Sequence, residues 1–138
     1  MTTAFLGPRG SFSEEAALMR AAEADTLPRV SFPAAVAAVE AGLATEAVLP
    51  IENSIEGSVT PNLDLLIHET PLRIAGELML PVRHFLVTRE GMTLEDITVV
   101  SSHPQALGQC RHFLERHLPN AAQEATLSTS GAVQEAAE

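Results

Sequence analysis

The chain has 138 residues, enough for one domain or two small lobes, and its 46% hydrophobic content is ordinary for a globular protein. The net charge is −10, with no lysine and eight arginines scattered from Arg9 to Arg116, so there is no basic stripe of the kind nucleic-acid binding needs. No basic region or long apolar run follows Met1, which argues against a signal peptide, a membrane span or a membrane partner, and a single cysteine, Cys110, fits a reducing cytoplasm without internal disulfides.

The pattern alternates short strands with helices. A strand is expected over residues 3–6, then a turn at Gly7-Pro8-Arg9-Gly10. Ser11 and Glu14 stand at capping-box spacing and open a helix reaching about residue 24. A second strand is expected over residues 29–32. Pro33 suits the first turn of a helix that ends near Gly42. A third strand over 46–51 leads into a polar segment, 52–58, and a helix over about 61–68. Residues 72–88 are extended in character, interrupted only by Gly76 and Pro81, and could cross between two lobes. A strand over 97–101 precedes one amphipathic helix over 104–118, with Ala106, Leu107, Cys110, Phe113 and Leu114 on its apolar side. A weak strand over 122–127 leads to Ser128-Thr129-Ser130, which cap a last helix reaching Glu138. Strand–helix alternation predicts an α/β fold, with mainly parallel sheets and flanking helices.

An acidic chain repels anions at long range, so an anion site would need local positive potential, which helix N-termini provide. Ser11 to Ser13, Ser101 to Gln105 and Ser128 to Ser130 each place small hydroxyls where a strand feeds a helix. Such residues either cap the helix or greet a ligand. All lie at carboxyl ends of strands, where open α/β sheets bind ligands. The segment Glu52-Asn53-Ser54-Ile55-Glu56-Gly57-Ser58 is either a solvated turn or a polar site. His103, just before Pro104, reads as a neutral cap, because cations are disfavoured at a helix N-terminus.

Four motifs carry a family resemblance. Gly7-Pro8-Arg9-Gly10-Ser11-Phe12-Ser13-Glu14-Glu15-Ala16-Ala17 resembles the opening of prephenate dehydratases. Pro50-Ile51-Glu52-Asn53-Ser54-Ile55-Glu56-Gly57-Ser58-Val59 resembles their second signature. Ser102-His103-Pro104-Gln105-Ala106-Leu107-Gly108-Gln109-Cys110 resembles the third, and Ser128-Thr129-Ser130 the fourth. The order is right and the whole chain is spanned.

The resemblance implies a two-lobed catalytic domain, type II periplasmic-binding-protein-like, with prephenate in the cleft. Lobes over residues 1–76 and 77–138 are expected, the second incomplete at its C-terminus. Asn53 would contact substrate, with Glu52, Ser54 and Glu56 shaping the pocket. Ser102 and Gln109 would line the opposite lobe, and Gln105, one helical turn from Gln109, can face the same cleft. Thr129 and Ser130 would bring a helix start to a carboxylate. The family needs no metal and no organic cofactor, and a cytoplasmic homo-oligomer is expected for the full-length protein. Its acid is attributed to a threonine in a Thr-Arg-Phe motif, which this sequence lacks; the chain alone is therefore expected to be inactive. A second reading is a non-catalytic domain binding or sensing small anions.

Overall fold

Thr3, Ala4 and Phe5 expose no surface, because the strand they form, β1 (Thr3–Leu6), is flanked by two parallel neighbours. The structure is a computed structural model that describes residues 1–55 and 57–137. Its contacts divide the chain into two compact units, Met1–Val82 and Arg83–Glu138.

The first unit is an α/β layer. Helix α1 (Phe12–Leu18) follows β1, then a single 3₁₀ turn at Glu23–Asp25 and β2 (Thr26–Arg29). Helix α2 (Phe32–Glu40) precedes β3 (Glu46–Ala47). The sheet order is β2-β1-β3, all parallel, with Thr3 opposite both Thr26 and Glu46. Ala4, Ala35, Ala38 and Ala44 form the core, joined by Leu27, Val39 and Ala47. Such small residues let α2 lie close on the sheet. Ser31 Oγ caps α2 by accepting from Ala34 N–H at 3.1 Å. Gly42, at φ +72°, ends it, and Leu43 N–H and Gly42 N–H bond back to Ala38 and Val39 carbonyls. That is the Schellman closure, which requires a left-handed residue.

Several sequence expectations shift here. The second strand is Thr26–Arg29, not 29–32. Pro28 argues against a strand, but β2 is a sheet edge, where a residue without an N–H is tolerated. Helix α1 stops at Leu18 although helix formers continue, and Arg20 beyond it turns to Glu46. The third strand holds only Glu46–Ala47, extended by a Val48 N–H to Ala4 carbonyl bond. The polar segment contains a small antiparallel hairpin, β4 (Glu52–Asn53) and β5 (Gly57–Ser58). Helix α3 (Thr60–Asp64) then widens into a π turn, Leu65–Glu69.

In the second unit, residues 83–93 form no helix or strand, and a 3₁₀ turn follows at Leu94–Asp96. Strand β6 (Val99–Ser102) pairs in parallel with β7 (Ala122–Ala125), Val99 opposite Ala122. The expected single helix over 104–118 is two: α4 (Pro104–Gln109) and α5 (Arg111–His117). Cys110 at the junction has φ −91° and ψ 2°, outside helical values. Gly108 weakens the helix just before the break. Ala106, Leu114 and Leu118 are buried, whereas Cys110 is only half-buried and Phe113 is exposed, its ring tilted against His117. Helix α6 (Thr129–Ala137) follows β7. Among the described residues no helix is long and apolar enough to cross a membrane.

Candidate functional site

In the first unit the strand order reverses at β1, so the chain beyond β1 and the chain beyond β3 leave from the topological switch point. Crevices that hold ligands open at such points. Two sequence motifs depart from it, the Gly7–Gly10 turn and the hairpin.

The turn is locked by Glu14. Its carboxylate accepts from Gly10 N–H and from Arg9 Nη1, each at 2.6 Å. The capping box is thus moved back by one residue, since its return arm reaches Gly10 rather than the cap. Ser11 Oγ accepts from Glu14 N–H at 3.3 Å and lies 3.3 Å from the Leu6 carbonyl, to which it donates. Arg9 also donates to Thr26 Oγ1. The Ser11 hydroxyl is therefore a helix cap tied to its own strand.

The hairpin rests on Asn62, which is 2% exposed. Its Nδ2 donates to the Pro50 carbonyl at 2.9 Å, and Val59 N–H donates to the Ile51 carbonyl at 2.8 Å. Gly57, at φ +83°, supplies the left-handed residue that returns the chain. Asn53 is half-buried, and its Oδ1 accepts from Ile55 N–H at 2.9 Å. That bond sets the orientation of the amide. Glu52 and Ser54 are exposed beside it. The binding expectation for Glu56 lies outside the described residues.

At the base of this unit Glu46 ties β3 to β1 and to the turn after α1. Arg20 Nε and Nη2 donate to its two oxygens at 3.1 and 3.0 Å, and Thr3 Oγ1 donates at 3.0 Å. The Arg20 hydrogen bonds hold the Glu46 carboxyl below its ordinary value.

In the second unit the carboxyl ends of β6 and β7 again carry the motifs. Ser102 is half-buried at the end of β6. His103 caps α4, its Nδ1 accepting from Gln105 N–H at 3.2 Å. The cap role expected of His103 is thus present. Gln105 and Gln109 are both half-buried on α4. Gln109 Oε1 meets the Nε2 of His84. Sequence reasoning did not single out His84; one histidine in an otherwise apolar run, Phe85-Leu86-Val87, was the available signal.

The cap of α6 is Ser128. Its Oγ accepts from Gly131 N–H at 2.9 Å and its carbonyl from Ala132 N–H at 3.1 Å. Thr129 and Ser130, half-buried, form the first turn, with the Ser130 hydroxyl 3.4 Å from that of Ser128. A groove of about 530 Å³ opens between His103, Pro104, Glu124, Ala125, Thr126, Leu127 and Glu135. None of the expected binding residues lines it, and its two carboxylates suit no anion.

Each unit by itself offers amides and hydroxyls, and the second also a helix start, groups that hold carboxylates without a formal cation. The model of the prephenate dehydratase family matches residues 3–138. Arogenate dehydratase 3, chloroplastic, of Arabidopsis thaliana is 42% identical over 134 residues, covering 97% of this chain and 31% of the relative. Arogenate dehydratase/prephenate dehydratase 1, chloroplastic, from the same plant is 48% identical over 80% of this chain and 28% of its own. Prephenate dehydratase from Arthrobacter aurescens, solved in complex with L-Phe, superposes with a TM-score of 0.85 at 40% identity, covering 100% of this chain and 46% of that one. The chain thus spans about a third of the curated relatives' length.

Proposed function

Because the chain belongs to the prephenate dehydratase family, we propose that the protein it forms, or forms part of, converts prephenate to phenylpyruvate in phenylalanine biosynthesis. The observation that carries this reading is the match over residues 3–138, supported by the placement of the second signature as a hairpin beyond the sheet's switch point.

The chemistry is a coupled loss. The bond from the ring to its carboxylate breaks and CO₂ departs. The freed electron pair aromatises the ring as the ring C–O bond breaks, and a proton converts the departing hydroxide to water. The protein must hold a dianion, align the two breaking bonds and deliver that proton. In this reading Asn53, with Glu52, Ser54 and Glu56 around it, acts from the first unit. Ser102, Gln105 and Gln109 act from the second, and Thr129 and Ser130 present the start of α6. The same reading takes residues 1–76 and 77–138 as the two lobes of a type II periplasmic-binding-protein-like domain. The full-length protein is a cytoplasmic homo-oligomer in the same reading.

The names of the plant relatives favour a second substrate. Arogenate replaces the side-chain keto group of prephenate with an amino group, and the ring chemistry is the same. Turnover of each substrate by the full-length protein, followed by absorbance for phenylpyruvate and by chromatography for phenylalanine, tests the reading. Prephenate as the better substrate supports it. Binding by calorimetry without turnover of either would leave the anion-binding domain instead.

A further inference from the structure

We propose that His84 is a positioning residue for Gln109, fixing which end of the Gln109 amide faces substrate. This rests on the reading of Gln109 as a substrate-binding residue. His84 Nε2 and Gln109 Oε1 are hydrogen-bond partners within the second unit, 25 residues apart in sequence and partly buried. The oxygen accepts, so the imidazole donates its Nε2–H. With its oxygen turned to the ring, the amide points its NH₂ the other way. The opposite flip would have Gln109 donate to the ring and present its oxygen, which repels a carboxylate. His84 therefore selects the donor face that an anionic substrate requires.

The location explains why Gln109 needs an outside partner. It is the last residue of α4, between Gly108 and the non-helical Cys110. A side chain at a helix end is poorly confined by its own helix. His84 belongs to the irregular stretch before β6, so one bond both anchors that stretch and orders the amide.

The test is a double-mutant cycle in the full-length protein, with kcat, KM and melting temperature measured on each variant. Gln109→Ala lowers kcat/KM. His84→Ala lowers it about 2- to 10-fold, the range for one neutral hydrogen bond, and divides the loss between kcat and KM as Gln109→Ala does. In the Gln109→Ala background, His84→Ala adds no further loss. His84→Gln, whose NH₂ falls near the Nε2 position, retains more activity than His84→Ala. Equal losses from His84→Ala in both backgrounds, or no advantage of glutamine over alanine, overturn the proposal. Unchanged kinetics for Gln109→Ala overturn the assignment of Gln109 itself, and this proposal with it. A loss on Gln109→Ala that His84→Ala does not share overturns the role of His84 alone.

Discussion

Asn62 Nδ2 donates to the carbonyl of Pro50 at 2.9 Å, joining the first turns of α3 to the chain just before the hairpin. The asparagine is buried whereas Pro50 is exposed, so the bond satisfies an amide that water does not reach. Asn62→Ala leaves the Pro50 carbonyl without that donor. The expected cost is about 0.5–1.5 kcal/mol, the net value of an ordinary hydrogen bond, read as a lower melting temperature. Because the hairpin carrying Asn53 starts from this point, substrate affinity should fall as well. A variant as stable as the parent would show that Pro50 finds water instead.

Glu46 predicts a pH dependence. Its carboxyl is depressed, first by the Arg20 hydrogen bonds, while the Arg20 guanidinium is raised. A depressed folded-state value means the stabilisation is fully present above the ordinary carboxylate value. It is lost as pH falls through the folded one. At neutral pH, Glu46→Gln should lower the melting temperature by a few degrees. The gap between parent and variant should close in acid below the ordinary carboxylate range. A gap that stays constant would assign the effect to packing rather than charge.

Cys110 and Gln109 are neighbours for which separate roles are proposed. Cys110→Ala should act through stability, costing on the order of 1 kcal/mol, whereas Gln109→Ala should act through kinetics. Burial raises the Cys110 thiol above its ordinary value, so at neutral pH it stays protonated and alkylates slowly. Melting curves, kinetics and timed alkylation decide this. A Gln109→Ala variant altered only in melting temperature would contradict its assigned role.

Much of this architecture is legible in the sequence where one physical signal dominates. Strand β1 and the caps Ser11, His103 and Ser128 follow from local chemistry. Gly42 marks the end of α2 because only a left-handed residue closes it. What local pattern misses depends on long-range partners. The position of β2 is visible only once Pro28 is known to lie on an edge. The hairpin strands have two residues each, too few for any alternation to register. The α4–α5 break overrides an apolar stripe that continues past it. For the candidate site, the motifs marked the segments, but the partners that hold them, Asn62 for the hairpin and His84 for Gln109, come from elsewhere in the chain.

The central claim is that these motifs bind and transform prephenate, and one measurement meets it directly: phenylpyruvate formation by the full-length protein and its Asn53→Ala variant, with melting curves to show that both are folded. Asn53 is positioned by its bond from Ile55 N–H, and losing a hydrogen bond to a charged substrate should cost about 1.5–3 kcal/mol, or roughly 10- to 150-fold in kcat/KM. Rapid turnover by the parent, and a loss of that size in a variant that melts like it, are expected. Parent-like kinetics in the folded variant, or a folded parent that turns over neither prephenate nor arogenate, would contradict the claim.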